Sequence, residues 1–232
     1  GSPSASLNAK VGEASGFING QGIVKDANGN KLIDDDGFYV LQDNMPLGSI
    51  LPKFTGGFTN QFTYKNFDMN IFMNFSLGNK VYNANKVEFT SQFNVKDNNL
   101  LAVMNDRWRN FDANGVKVTD PTMLTEMNAN TTLWTPTLGN YTLTSYAVED
   151  GSFLRITNVT LGYTLPTTLV KRSGFISKLR VYATVNNLHT FTKYTGYDPE
   201  ANTRRSNPLT PGIDYAAYPR SRFVLAGINL VF

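Results

Sequence analysis

The side chains best placed to hold a cation are Asp26, Asn28 and Asn30, at positions 1, 3 and 5 of a stretch that imitates a calcium loop. Oxygen ligands at this spacing suit a hard cation. The glycine and the bidentate glutamate that such a loop needs at positions 6 and 12 are missing. The same Asp-Ala-Asn-Gly tetrapeptide recurs at residues 112–115 without an acidic tail. We therefore favour a hairpin turn over a calcium site and expect no metal or other cofactor.

Catalytic groups are scarce. The chain has no cysteine and one histidine, His189, which lies among Asn and Thr near the end of a strand-like run with no serine or carboxylate spaced for a triad. Glu149 and Asp150 are adjacent residues at the start of a strand and would point to opposite faces, so they cannot flank one bond. These residues predict a protein that is not an enzyme.

Four aromatic residues could contact a ligand. They occupy or border a polar stretch at about residues 81–150, which has one helix-like patch around residues 98–108. Aromatic rings on a loop could stack on sugar rings or grip a peptide, or they could pack the loops together, and both interpretations stay open. The candidates are Trp108, Trp134, Tyr141 and Tyr146.

Composition points to β structure. The 232 residues are 41% hydrophobic and 17% charged, and they include 27 Asn and 24 Thr with 16 Phe and 11 Tyr, a bias towards strand and turn formers. The net charge of +3 comes with no basic stripe, which argues against a nucleic-acid partner. No window reaches the length of about 18 apolar residues that a membrane helix needs. A soluble sandwich and a membrane barrel would both fit this composition.

Alternation of apolar and polar residues is the strongest pattern. Two strand candidates meet at a two-residue turn, Lys65-Asn66. The second arm carries an apolar series close in length to the apolar band of a tilted outer-membrane strand, and this series is the predicted lipid-facing face: Phe67, Met69, Ile71, Met73, Phe75 and Leu77. Phe72 interrupts the polar series on the other face.

Three later runs repeat the alternation. They span Phe153 to Leu165, Lys178 to Tyr194 and the final RFVLAGINLVF, and the second is long enough to project beyond a membrane. In the last run Ile228, Leu230 and Phe232 fit the signal that outer-membrane assembly machinery reads on a terminal strand. Short links alternate with long polar connections, at about 81–150 and 196–220, as periplasmic turns alternate with extracellular loops.

Four segments resemble one protein family. They are VEDGSFLRITNVTLGYTLP at Val148–Pro166, SKLRVYATVNNLHTFTKYTGYDPE at Ser177–Glu200, DYAAYPRSRFVLAGINLVF at Asp214–Phe232 and PLGSILPKFTGGFTNQFTYKNFD at Pro46–Asp68. In order and content they are similar to the C-terminal barrel region of SusC/RagA-type TonB-dependent transporters of Bacteroidota. The family's plug, TonB box and signal peptide have no counterpart in the 232 residues.

The resemblance implies an all-β fold, an antiparallel transmembrane segment from the C-terminal part of a plugged barrel of about 22 strands. It implies import of oligosaccharides or oligopeptides across the outer membrane. The implied partners are a SusD-like lipoprotein, the remaining N-terminal barrel and plug, and the TonB complex acting through that plug. Membrane lipid and lipopolysaccharide are the expected surroundings, with lipopolysaccharide or water as the expected neighbour of Arg204, Arg205, Arg220 and Arg222.

Two alternatives remain open at the level of sequence. A soluble extracellular β-sandwich that binds glycans would bury the Phe67–Leu77 face inside the protein. An autonomous barrel of about eight to ten strands would close its first strand on its last.

Overall fold

The computed structural model describes residues 17–35, 40–90, 99–131, 133, 144–203 and 212–232. In chain order the elements are β1 (Phe17–Ile23), β2 (Leu41–Ser49), β3 (Phe54–Tyr64), β4 (Phe67–Leu77), β5 (Lys80–Asn83), α1 (Ala84–Glu88), α2 (Pro121–Met127), β6 (Val148–Asp150), β7 (Phe153–Thr164), α3 (Thr167–Val170), β8 (Lys178–Thr192), β9 (Ile213–Asp214) and β10 (Phe223–Val231). Short 3-10 helices lie at Ala102–Asp106, Ser145–Ala147 and Lys171–Ser173. The predicted predominance of antiparallel strands is confirmed.

The chain forms two compact units. One combines Gly1–Ile50, Lys80–Glu149 and Ala201–Ala217, and the other combines Leu51–Asn79, Asp150–Glu200 and Tyr218–Phe232. Each unit is assembled from three separate stretches of sequence, so strands far apart in the chain become neighbours.

The second unit contains a five-stranded sheet in the order β10-β8-β7-β4-β3, with every neighbouring pair antiparallel. The turn at Lys65-Asn66 joins β3 to β4 and pairs Tyr64 with Phe67, as predicted. Pro166 follows β7 and begins the short α3 link to β8, consistent with the inability of proline to donate a ladder hydrogen bond. In the described part of the chain β3 and β10 are edge strands and do not pair with each other.

The first unit has smaller sheets and two clusters of buried side chains. Strand β1 pairs with β2, and β5 lies between β6 and β9. One cluster contains Tyr82, Ala84, Val87, Ala147 and Ile213, and the other contains Ile23, Met104, Leu133 and Tyr146. These apolar contacts pack the described parts of the polar stretch at 81–150.

Side-chain caps define the short helices of this unit. The Asn83 side chain accepts a hydrogen bond from the Lys86 amide at the start of α1, and Asp120 accepts one from the Met123 amide at the start of α2. Pro121 occupies the first turn of α2, where its missing N–H costs nothing. Among the described residues no helix is long and apolar enough to cross a membrane.

Candidate functional site: the two faces of the five-stranded sheet

Strand register collects the predicted apolar series of several strands on one surface, which we call the apolar face. Directly opposed residues in an antiparallel sheet share a face, so each row of partners can be read across all five strands. One row contains Phe62, Met69, Leu161, Ala183 and Ala226, and the next contains Tyr64, Phe67, Tyr163, Val181 and Ile228. No residue of β4 in this series is buried, and Phe67 keeps 50% of its surface exposed.

A register shift in β7 changes which of its residues lie on the apolar face, from odd numbers on one side of the shift to even numbers on the other. Between β4 and β7 the partners step from Phe72↔Asn158 to Met73↔Ile156, which leaves Thr157 as an extra residue. Bulges of this kind reverse the alternation beyond them. Leu154 and Ile156 therefore join the apolar face although their numbers are even.

The opposite surface, which we call the polar face, carries hydrogen bonds between side chains of neighbouring strands. Thr160 and Thr184 share a hydrogen bond of 2.8 Å between their hydroxyls, and the Asn158 amide donates to the Asn186 oxygen at 2.8 Å. Such pairs of polar side chains stabilise the sheet, and they leave this face able to contact water. Phe72 is on this face and is exposed.

Of the four candidate ligand aromatics, the structure describes two. Tyr146 is only 8% exposed and packs with Ile23, Met104 and Leu133. The Lys86 ammonium lies 4.4 Å from the centre of its ring. Trp108 is half-buried, and its backbone amide donates to the Leu133 carbonyl at 2.8 Å. Trp134 and Tyr141 lie outside the described residues.

Burial also decides the electrostatics around Tyr146. Removal from water raises the pKa of its phenol above the usual 10.0, and the negative charge of Glu149 acts in the same direction, while a hydrogen bond with Thr90 opposes them. Burial, together with the charges of Lys86 and Lys25, lowers the pKa of the nearby Lys31.

The calcium-loop imitation has the hydrogen bonds of a turn. Asp26 Oδ1 accepts from the backbone amides of Asn28 and Asn30, each at 2.8 Å, and Oδ2 accepts from the Asn30 side chain at 3.0 Å. These bonds lower the pKa of Asp26, with the Asn30 side chain as the largest cause. Asp112 makes the same pair of backbone bonds in the second Asp-Ala-Asn-Gly copy. Both carboxylates thus face N–H donors.

The remaining acidic and histidine candidates are dispersed. Glu149 pairs with Lys86 at 3.1 Å, whereas Asp150 accepts from the Ser152 hydroxyl at 2.7 Å. His189 lies against Phe191, with ring centres 4.5 Å apart. Within the described ranges no group of three or more His, Asp or Glu side chains could hold a metal ion.

Strand β10 presents two of the three predicted residues on the apolar face, and the third, Phe232, lies just beyond its end. Ile228 and Leu230 are exposed there, paired in register with Val181 and Leu179 of β8. Phe232 stacks on Phe175 with ring centres 6.3 Å apart.

A cluster of four charges was not predicted from the sequence. Arg155 of β7 pairs with Asp198 and Glu200, and Arg220 approaches the same two carboxylates. Arg220, for which we predict contact with water or lipopolysaccharide, makes these ion pairs and stays half-exposed, so water also reaches it. A useful signal was present, since Arg155 is a lone charged residue in an otherwise uncharged strand.

Comparison with known proteins places these features in a family. No family model matches the sequence. The chain is 35% identical over 204 residues to TonB-dependent receptor P3 of Formosa agariphila, covering 86% of this chain and 18% of that protein. It is 32% identical over 208 residues to TonB-dependent receptor SusC of Bacteroides thetaiotaomicron, covering 89% of this chain and 17% of that protein.

The fold is similar to that of the RagAB peptide transporter, with a TM-score of 0.67 at 22% identity over 92% of this chain and 22% of that one. The 'open-open' state of the RagAB peptide importer gives a TM-score of 0.60. The names of these relatives are those of receptors and transporters. The chain spans about a fifth of their length. It belongs, as a segment, to the SusC/RagA-type TonB-dependent receptors.

Proposed function

We propose that this chain forms the C-terminal part of the barrel wall of an outer-membrane importer for oligosaccharides or oligopeptides. The observation that carries the proposal is the pairing of an unburied apolar face with a polar face on one five-stranded antiparallel sheet. A sheet that separates lipid from a watery lumen needs this division. The apolar face would meet lipid, and the polar face would line the lumen.

The open edges of the sheet favour a segment over an autonomous barrel. In the described part of the chain β10 pairs with β8 and β3 pairs with β4, so each edge strand has one free side. Unpaired edges are rarely left uncovered in a finished protein. The rest of the barrel would supply their partners, and a plug would fill the lumen.

Two features speak against a glycan-binding sandwich. The apolar series of β4 is unburied, whereas a sandwich would enclose it between two sheets. In addition, β8 has 15 residues, which is long for a sandwich strand.

The long connections would lie on the extracellular side and meet a SusD-like lipoprotein that captures the substrate. TonB would act through the plug to release it. The 81–150 and 196–220 connections leave the strand ends opposite to the short links at Lys65-Asn66 and after Pro166. This asymmetry supports the assignment of sides.

Uptake by cells tests the proposal. The full-length gene would be deleted in its native host and restored on a plasmid, and cells would be supplied with either a peptide mixture or an oligosaccharide mixture as the limiting nutrient. We expect the deletion strain to stop growing on one of the two mixtures. The plasmid copy should restore growth on that mixture in cells that have TonB and should fail to restore it in cells that lack TonB. Equal growth of parent and deletion strains on both mixtures would contradict an import role. Co-purification of a surface lipoprotein with the tagged transporter tests the partner.

A further inference from the structure

Arg155 is a charged side chain held out of water in the second unit, with 2% of its surface exposed. Its register partners are Asn74 on β4 and Thr190 on β8, which places it on the polar face near the strand ends that carry the long connections. Its guanidinium reaches Asp198 Oδ1 at 2.6 Å through Nη2 and Glu200 Oε2 at 2.9 Å through Nη1. Arginine suits such a site because its planar fork can serve two carboxylates at once.

A second arginine completes the charge balance. Arg220 Nη2 lies 3.2 Å from Glu200 Oε2, and Arg220 Nε lies 3.7 Å from Asp198 Oδ2. Two positive and two negative groups therefore occupy one cluster, with Asp198 only 10% exposed. A charge this deeply buried is tolerated only with partners, and loss of one partner leaves another uncompensated.

The two carboxylates belong to a short segment after β8, residues Tyr194–Glu200, which we call the strap. The strap is compact, because the Tyr194 ring lies over Gly196 and the Glu200 amide donates to Asp198 Oδ1 at 3.0 Å. Asp198 and Pro199 are buried. The preceding residue, Tyr197, has 77% of its surface exposed. Arg155 thus joins strand β7 of the sheet to this loop through two ion pairs.

We propose that Arg155 is a positioning residue that fixes the strap over the polar face and thereby holds the Tyr197 ring at the mouth of the lumen. The location at a lumen mouth rests on the proposed function, whereas the attachment of the strap by the four charges does not. Strap position would set the width of the opening at this point of the wall and present an aromatic ring to whatever enters it.

Hydrogen exchange in the full-length transporter tests the attachment. Arg155→Met keeps much of the side-chain length and removes the charge. We expect backbone exchange in the strap, including the Glu200 amide, to accelerate at least about tenfold, while exchange within β7 stays as in the parent. Arg180→Met is the matched control, since it removes another ion-paired arginine of the same face and should leave the strap unchanged. A strap that exchanges at the parental rate in Arg155→Met, or equally fast in both variants, would overturn the proposal.

A second variant covers the case in which Arg155→Met fails to assemble. Asp198→Asn combined with Glu200→Gln removes the charges from the loop side and leaves every strand residue intact. A spin label at Tyr197→Cys reports the motion of the strap directly, and we expect its spectrum to show a several-fold faster rotation in the double variant. An unchanged spectrum would refute the role of the charges. Neither measurement depends on import. If the growth test fails but the strap behaves as expected, the result counts against the proposed function and not against the attachment of the strap.

Discussion

Arg180 on β8 binds Asp68 on β4, although β7 lies between the two strands. Arg180 Nε is 2.9 Å from Asp68 Oδ1, and Nη2 lies 2.5 Å from Oδ2. The guanidinium crosses the polar face directly over Gly162, where an added Cβ would come within 2.3 Å of Nη2. The absence of a side chain at residue 162 is what allows a pair to form across three strands.

Gly162→Ala should therefore break this ion pair. The methyl group would occupy the space that the guanidinium crosses, and Arg180 would turn away from Asp68. Since both groups are partly exposed, we expect the free energy of unfolding to fall by about 1 kcal/mol or less. The measurement is the denaturant midpoint of the folded full-length transporter in detergent.

The Arg180→Ala background provides the control for this prediction. Once the guanidinium is gone, Gly162→Ala has nothing to displace and should not destabilise the protein further. Two changes that act through one contact are not additive, in contrast to independent sites. Equal effects of Gly162→Ala in both backgrounds would show that the glycine is needed for another reason.

Tyr182 and Gly227 repeat this arrangement at the edge of the sheet. They are register partners on β8 and β10, and an added Cβ at residue 227 would lie 2.5 Å from the Tyr182 ring. Gly227→Val should displace the ring and destabilise the β8–β10 pair by about 1–3 kcal/mol, as other overpacked sites do.

Ala226→Val is the matched comparison, because Ala226 is exposed on the apolar face of the same strand. We expect it to leave the denaturant midpoint close to that of the parent. If both valine variants lower the midpoint equally, the ring contact over Gly227 is not the cause.

The five-stranded sheet could be predicted from the sequence because its information is local. Alternation at Phe67–Leu77 fixes which side of β4 is apolar, and the two-residue turn at Lys65-Asn66 fixes its register with β3. The family resemblance supplied the larger setting. The bulge at Thr157 was not predicted, although the apolar residues change from even to odd numbers there, from Ile156 to Val159.

The charge cluster and the packed aromatics depend on residues far apart in sequence. Arg155 and its partner Asp198 are separated by 43 residues, and no local pattern states that they meet. Likewise, the sequence leaves Tyr146 as a candidate ligand-contacting loop aromatic, because nothing near it in the sequence shows that Met104 and Leu133 pack against it. Trp134 and Tyr141 remain candidates from sequence alone.

Ile71→Arg tests the assignment of the apolar face to lipid. Ile71 is in the middle of the β4 series, so an arginine there would place a charge near the bilayer midplane at a cost of about 2–4 kcal/mol. We expect less folded transporter in the outer membrane, measured by heat-dependent mobility of the assembled barrel on gels.

Asn70→Arg is the neighbouring control, because Asn70 lies on the polar face opposite Thr160. It should assemble at the parental level, since an arginine there would meet water. Equal assembly of the two arginine variants would contradict the division of the sheet into lipid and lumen faces. A defect in Ile71→Arg that persists without any membrane would favour the soluble sandwich.

Tyr146 gives a prediction at high pH. Its buried phenol has a pKa raised above 10.0, mainly because the phenolate would be removed from water. The unfolded chain loses this proton near pH 10, whereas the folded chain retains it to a higher pH. The contribution of the protonated Tyr146 to the free energy of unfolding is therefore complete below about pH 10. It is lost as the pH rises through the higher pKa of the folded chain. Absorbance of phenolate in the parent minus that in Tyr146→Phe isolates this one group. We expect the difference to appear above pH 10, and no difference between pH 7 and 9. A midpoint at or below 10 would mean that water reaches the phenol and that the cluster around Met104 and Leu133 is open.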